Sequence, residues 1–453
     1  MTLHRKQNEY FKRSAALAPV LLLLVAKVFL DYAYIWHLSP IYSYAGYYEE
    51  LSFGRLITSY ALVFLLAIVS PLRNQKPSSV FAFLYLFTLV VPLLSLWALR
   101  QDDTTFMCLM LGSYLILLAG LRVPTFNPRL TIRNSWMILI SLFALLLTAV
   151  MATAWLRGGF ELITFDPRRI YEVREQVTSS VFSAGLAGYS KEWFGKVVCP
   201  ALMILSLHKR RYFAFVLLSS VQLLFFGLTA AKDYFVFPVL AVVTYFILYQ
   251  KRRVVVVLPA IILALFLVSL EFSLYVDDFT AVGIVMMRPF FTLGHIAYEY
   301  YYFFESHPHT FLSNTAIGFL VEYPFEETVS RLVGADFWGQ GRDANANVGI
   351  FASGYMHFGA IGMFTFAFLL AVVLRIYDSL IVGRIPLEVG IPVAMTPALQ
   401  FVNGDFTATL VSHGVGLSFV VLLLIGGKDK KSASNKRPVR RWSPSYPVPH
   451  NSA

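Results

Sequence analysis

Apolar residues gather into twelve long runs separated by polar stretches. The runs cover residues 15–36, 55–72, 80–99, 106–121, 136–156, 192–207, 212–229, 234–250, 254–272, 349–374, 386–403 and 407–426, each between 16 and 26 residues long. About 20 apolar residues let a helix cross a hydrocarbon layer of about 30 Å. A backbone in lipid must also satisfy its own hydrogen bonds, which favours helices. The pattern predicts an all-α polytopic membrane protein with about twelve transmembrane helices. Some connections are very short: His208-Lys209-Arg210-Arg211 divides the sixth run from the seventh, and Thr229-Ala230-Ala231-Lys232-Asp233 the seventh from the eighth. Two are long, at about 157–191 and 271–348. Residues 1–426 read as a single transmembrane domain, and 427–453 as a basic, Pro-containing disordered tail.

Composition narrows the class. Hydrophobic residues make up 57% and charged residues 14%, against roughly 25% charged in a soluble domain. A soluble enzyme, a disordered chain and a nucleic-acid-binding domain are excluded, so no nucleic-acid partner is expected. The net charge of +11 is explained by the bias of Lys and Arg toward cytoplasmic segments. With the amino terminus in the cytoplasm, 24 of the 37 Lys and Arg fall on that side, with only Glu9, Asp378, Glu388 and Asp429 among the acids. Both termini are then cytoplasmic and both long loops lie outside. The basic start (Arg5, Lys6, Lys12, Arg13) precedes an apolar run with no small-residue cleavage site, so the first helix is expected to be retained. Cys108 and Cys199 lie in apolar runs and are expected to be free. The cytoplasmic loops are too short for a nucleotide site, so any chemistry belongs outside.

In the first long loop Arg168, Arg169 and Arg174 stand beside Asp166, Glu172 and Glu175. If 169–182 is helical, Arg169 and Arg174 share a similar face. Such a cluster suits an anionic ligand such as a diphosphate, or an interfacial amphipathic helix with self-paired charges. The second loop begins Met287-Arg288-Pro289-Phe290-Phe291 and continues with a Tyr/Phe run that includes Tyr302. These aromatics suit interfacial packing or sugar stacking. His295 and Glu299 are four apart and would share a helix face; His307 and His309 flank Pro308. No metal-ligand spacing is present. Arg342 and the dense Asn turn with Asn345 and Asn347 precede the tenth run, where Tyr355 and His357 are polar groups near the membrane surface. The asparagines suit sugar hydroxyls or turn and cap chemistry. Gly354, Gly359 and Gly362 are spaced for close helix approach. Charges at membrane depth are suspects by default; Lys27 and Asp31, four apart, are expected to pair, and Lys232 sits in a tight outer turn.

The stretch from Arg288 to about Arg375 resembles the Wzy-type O-antigen and capsule repeat-unit polymerases. The matching residues are Arg288-Pro289-Phe290-Phe291, the YEYYYFFES run at 298–306, Tyr323-Pro324-Phe325 and ANANVGIFASGYMHFGAIGM at 344–363. Gly227-Leu228-Thr229-Ala230-Ala231-Lys232 looks like a Gly-rich turn that in the family often ends in arginine. The resemblance implies a metal-independent, cofactor-free glycosyltransferase of the bacterial inner membrane. Donor and acceptor would both be glycans on undecaprenyl diphosphate, and a flippase and a chain-length regulator would be possible partners. It implies Arg288 as the leading catalytic residue, with Glu299, His295, His307 and His309 as candidate bases. Arg168, Arg169, Arg174, Lys232, Tyr302, Arg342, Asn345, Asn347, Tyr355 and His357 would bind substrate. An O-antigen ligase-like glycosyltransferase and a polysaccharide or lipid transporter are the rival readings.

Overall fold

The computed structural model describes residues 2–72, 76–126, 132–166, 169–183, 185–276, 280–315, 318–338 and 345–427. Side chains of 2–16, 171, 280 and 336–338 are outside the description. Arg168, Arg342 and the basic tail from Lys428 therefore lie outside the described residues. Every described element is helical, and each of the twelve apolar runs falls on a helix. The principal helices are α1 (Thr2–Ala33), α2 (Phe53–Val69), α3 (Pro77–Leu99), α4 (Thr104–Gly120), α5 (Ser135–Leu156), α6 (Ile170–Gln176), α7 (186–208), α8 (Tyr212–Thr229), α9 (Asp233–Tyr249), α10 (Val254–Val276), α11 (Thr292–Ser306), α12 (Val329–Trp338), α13 (Ile350–Ile381), α14 (Leu387–Val402) and α15 (Phe406–Gly426).

Among the described residues, seven helices are long and apolar enough to cross a membrane: Leu17–Ala45, α3, α5, α8, α10, α13 and α15. Helices α2, α4, α9 and α14 are apolar but shorter, and α7 carries Lys191, Glu192 and Lys196 in its first half. The bundle is built around α3, which is apolar on all sides and 94% buried across its span, as expected for a helix with no solvent or lipid face. Its first turn is tied to α13, because Asp378 accepts from the Ser78 amide at 2.9 Å and the Ser78 hydroxyl at 2.6 Å while pairing with Arg375 at 2.6 Å. In α1, Lys27 and Asp31 pair at 3.0 Å, as their spacing suggests, and Lys27 also donates to Ser95 on α3. Cys108 and Cys199 are free.

Two departures from regular helix matter for the site. In α13, Phe358 (φ −142, ψ 21) and Gly359 (φ 61, ψ −146) break the helix. The arms 350–357 and 360–381 pack on one another with Gly354 against Gly362, where a Cβ on either would collide with the other's carbonyl. The glycines do permit close approach, but between two arms of one helix, and the straight arm begins at 360 rather than at 349. In α7, a π segment (Phe194–Val198) inserts an extra residue into the helical turn. Gln222 caps it, its amide donating to the carbonyls of Gly195 (3.0 Å) and Tyr234 (2.8 Å). Gly195 packs so closely on the Phe225 and Tyr234 rings that no Cβ fits there.

Candidate functional site

At the end of the bundle that carries the two long connections, a cavity of about 990 Å³ opens between them. One wall is basic. It is built from Arg174 on α6, Thr178 just after it, Lys191, Glu192 and Lys196 on α7, and Lys232, Asp233 and Tyr234 at the start of α9. The αL residue Ala230 (φ 50) makes the turn that brings the start of α9 here. Buried Lys196 is the hub: its ammonium lies 2.6 Å from Glu192, 2.8 Å from Asp233 and 3.0 Å from the Gln400 amide oxygen. Glu192 also accepts the Tyr234 hydroxyl at 2.7 Å, and His413 Nδ1 stands 3.5 Å from it. Four cations thus face three carboxylates (Glu192, Asp233, Asp405) around the cavity.

The opposite wall is polar and, among its described residues, uncharged. Ser313, Asn314, Thr315, Tyr323, Thr328, Ser330 and Asn347 line it, with Tyr300 behind. Tyr300 donates to the Ala346 carbonyl at 2.9 Å, and the Ala346 amide donates to the Ser330 carbonyl at 2.8 Å. Gln400, Asn403 and Asp405, at the end of α14 and the start of α15, join the two walls.

Asp405 caps α15, its Oδ1 accepting from the amides of Thr407 (2.9 Å) and Ala408 (3.3 Å) and from the Thr407 hydroxyl. Its Oδ2 accepts from Ser353 and from His357 Nε2, the latter at 2.9 Å. The Leu312 amide donates to His357 Nδ1 at 3.2 Å, which assigns the proton to Nε2. Burial alone would raise the Asp405 carboxyl, but these hydrogen bonds, led by that of His357, hold it well below the ordinary range. A carboxylate so fully engaged is a pin, not a base. Its depressed folded pKa contributes stability that is complete above the unfolded value of about 4 and lost as pH falls toward the folded one. Asp405→Ala is therefore expected to lower thermal stability by about 2 kcal/mol at pH 7, with the gap to wild type narrowing in melts below pH 4.

A second polar cluster lies on the other side of α11. Buried Arg100 donates from Nε (2.8 Å) and Nη2 (2.6 Å) to Asp102, from Nη1 to the Gly46 carbonyl (3.2 Å), and stands 3.7 Å from Glu299. His295 Nε2 meets Glu299 at 3.0 Å on the helix face that their spacing predicts they share. Tyr302 donates to Asp102 at 3.2 Å and accepts from the Asp103 amide. Burial raises the Glu299 carboxyl, with Arg100 opposing, and burial with Arg100 drives His295 well below its ordinary value, so that His295 is neutral.

Helix α11 thus separates the residues expected to act together. Arg174, Lys232 and Asn347 line the cavity; His357 reaches it through Asp405. Asn345 accepts from Ser330 at 3.3 Å at the wall's edge. His295, Glu299 and Tyr302 belong to the Arg100 cluster. Arg288 is exposed in a π segment (Gly283–Phe291), one turn before Thr292, whose hydroxyl meets Tyr47 at 3.0 Å. It does not line the cavity. Tyr355 packs on Phe106, Tyr301 and His309, and the His309 ring stacks on Phe304, both in aromatic contacts. Arg169 is exposed at the start of α6. Lys191, Glu192, Lys196, Gln400, Asn403 and His413 also line the cavity, and no motif in the sequence marks them. The available signal was Glu192 and Lys196, four apart at the start of an apolar run. No group of three metal-ligating side chains occurs among the described residues. The chain matches no protein-family model, no curated protein and no solved structure.

Proposed function

We propose that this membrane protein transfers glycans between lipid diphosphates, joining undecaprenyl-diphosphate-linked repeat units into O-antigen or a related surface polysaccharide. One observation carries the reading: a basic wall faces an uncharged hydroxyl- and amide-rich wall across one cavity at the end of a helical bundle. Diphosphate matches the first wall and sugar the second. Arg174, Lys191 and Lys232 hold the donor diphosphate. Asn314, Asn347, Asn403 and Tyr323 bind glycan hydroxyls. An acceptor hydroxyl attacks the donor's anomeric carbon, the bond to the diphosphate breaks, and lipid diphosphate leaves with the electron pair. His413, beside Glu192, takes the hydroxyl proton, and the cations stabilise the leaving charge. The chemistry requires neither metal nor nucleotide.

In this reading twelve helices cross the inner membrane, both termini are cytoplasmic, and the cavity opens on the outer side. Reporters fused after Arg174 and Tyr302 are expected to be active only outside, and one fused after Arg253 only in the cytoplasm. The decisive experiment is a lipopolysaccharide or capsule gel of a deletion strain. Loss of long chains with accumulation of single-repeat product supports polymerisation; complete loss of attached glycan indicates a ligase. A normal ladder removes the proposal.

A further inference from the structure

The cavity wall formed by the segment after α11 has two faces. Asn314 and Thr315 face the cavity, whereas Phe311, Phe319, Leu320 and Val321 are exposed, Phe319 at 83% and Leu320 at 70%. No charged residue occurs from Thr310 to Val321, and acidic side chains resume at exposed Glu322. The segment is held in this arrangement by successive turns: the Ser313 amide donates to the Thr310 carbonyl, Thr315 to Leu312, Gly318 to Thr315 and Val321 to Gly318. It is also fixed in height. The amides of Thr310 and Phe311 donate to the carbonyls of Met356 and His357, just before the break in α13, and the Phe311 ring lies 5.9 Å from that of Phe358. From this level the outer face of α13 descends as an exposed stripe of Phe358, Ile361, Thr365 and Phe368. On a membrane-crossing helix such a stripe faces lipid.

We propose that the apolar face made by Phe311, Phe319, Leu320 and Val321 docks into the headgroup–acyl boundary of the bilayer, continuing the lipid-facing stripe of α13, so that these residues form the partition between lipid and cavity. The partner is the phospholipid surface, recognised by aromatic and aliphatic side chains without charge. The inference rests on membrane embedding alone and is independent of the glycan chemistry. The test uses the full chain with Cys108→Ser; buried Cys199 is left in place. Single cysteines replace Phe319, Leu320, Asn314 or Glu322, carry an environment-sensitive NBD probe, and are reconstituted in phosphatidylethanolamine–phosphatidylglycerol vesicles. Probes at 319 and 320 are expected to emit to the blue of those at 314 and 322. Doxyl-labelled acyl chains should quench them at least threefold more strongly, and iodide on both faces should quench them less. Iodide quenching at 319 and 320 equal to that at 322 would overturn the proposal. So would protection from both quenchers, which would assign the patch to a second copy or another protein. All four positions are exposed, so the substitutions leave the core intact.

Discussion

Lys196→Met is expected to be the most destabilising single substitution around the cavity. Lys196 is 3% exposed, and its ammonium holds Glu192 and Asp233 within 2.8 Å. Removing it leaves two carboxylates facing one another, with Lys191 and His413 Nδ1, each 3.5 Å from Glu192, as the remaining partners of that carboxylate. Breaking a buried pair by deleting one partner costs about 3–5 kcal/mol, enough to cut the yield of folded protein sharply. Replacing the whole triad is a different experiment. In Glu192→Gln, Lys196→Met, Asp233→Asn no buried carboxylate is stranded, and such neutral replacements are often close to neutral in stability. The triple variant should recover most of the melting temperature and membrane yield of wild type, yet on the proposed function make no long polymer, because the Glu192 charge that holds Lys191 and His413 at the cavity is gone. A triple variant that melts as low as Lys196→Met would show that the ion network is not what holds α7 to α9. One that folds and polymerises normally would remove the triad from the site.

Much of the architecture was legible because lipid allows few solutions. Runs of 16–26 apolar residues had to be helices, and spacing alone foretold the pairing of Lys27 with Asp31 and the shared helix face of His295 and Glu299. What escaped the sequence depends on geometry that periodicity does not carry. The sharp break at Phe358–Gly359 turns one apparent span into two packed arms. The π segment at 194–198 changes which residues of α7 share a face, so Lys196 read as part of an apolar run although it is the hub of the basic wall. Arg100 stands in a short turn with no motif around it, yet it organises Asp102, Glu299 and the backbone of Gly46. Residues 230 apart converge at the cavity, as Arg174 and Gly404 do, and no local pattern encodes such a meeting. Arg288 stood out by its aromatic context, but that context is a packing motif: Phe290 and Phe291 are buried against Phe87, Phe266 and Tyr34.

That distinction yields the other large effect. If the cavity holds the diphosphate, Lys232→Ala is expected to reduce polymer synthesis by about 10²–10³, the usual loss when one donor to a developing charge is removed. Lys232 is half-buried at a helix start rather than in the core, so the variant should reach the membrane at normal levels. Lys232→Arg keeps the charge and adds a planar fork suited to two phosphate oxygens, so it should retain activity. Arg288 gives the opposite pattern. Being exposed and outside the cavity lining, it tolerates lysine as an interfacial anchor whose charge and stem survive, and Arg288→Lys should give polymer of normal length. Parallel gels of the three variants at matched expression decide between the two clusters. Loss of long chains in Arg288→Lys, with retention in Lys232→Ala, would move the diphosphate to the Arg100 side of α11. There neutral His295 and the raised Glu299 carboxyl would become the groups that meet the acceptor hydroxyl.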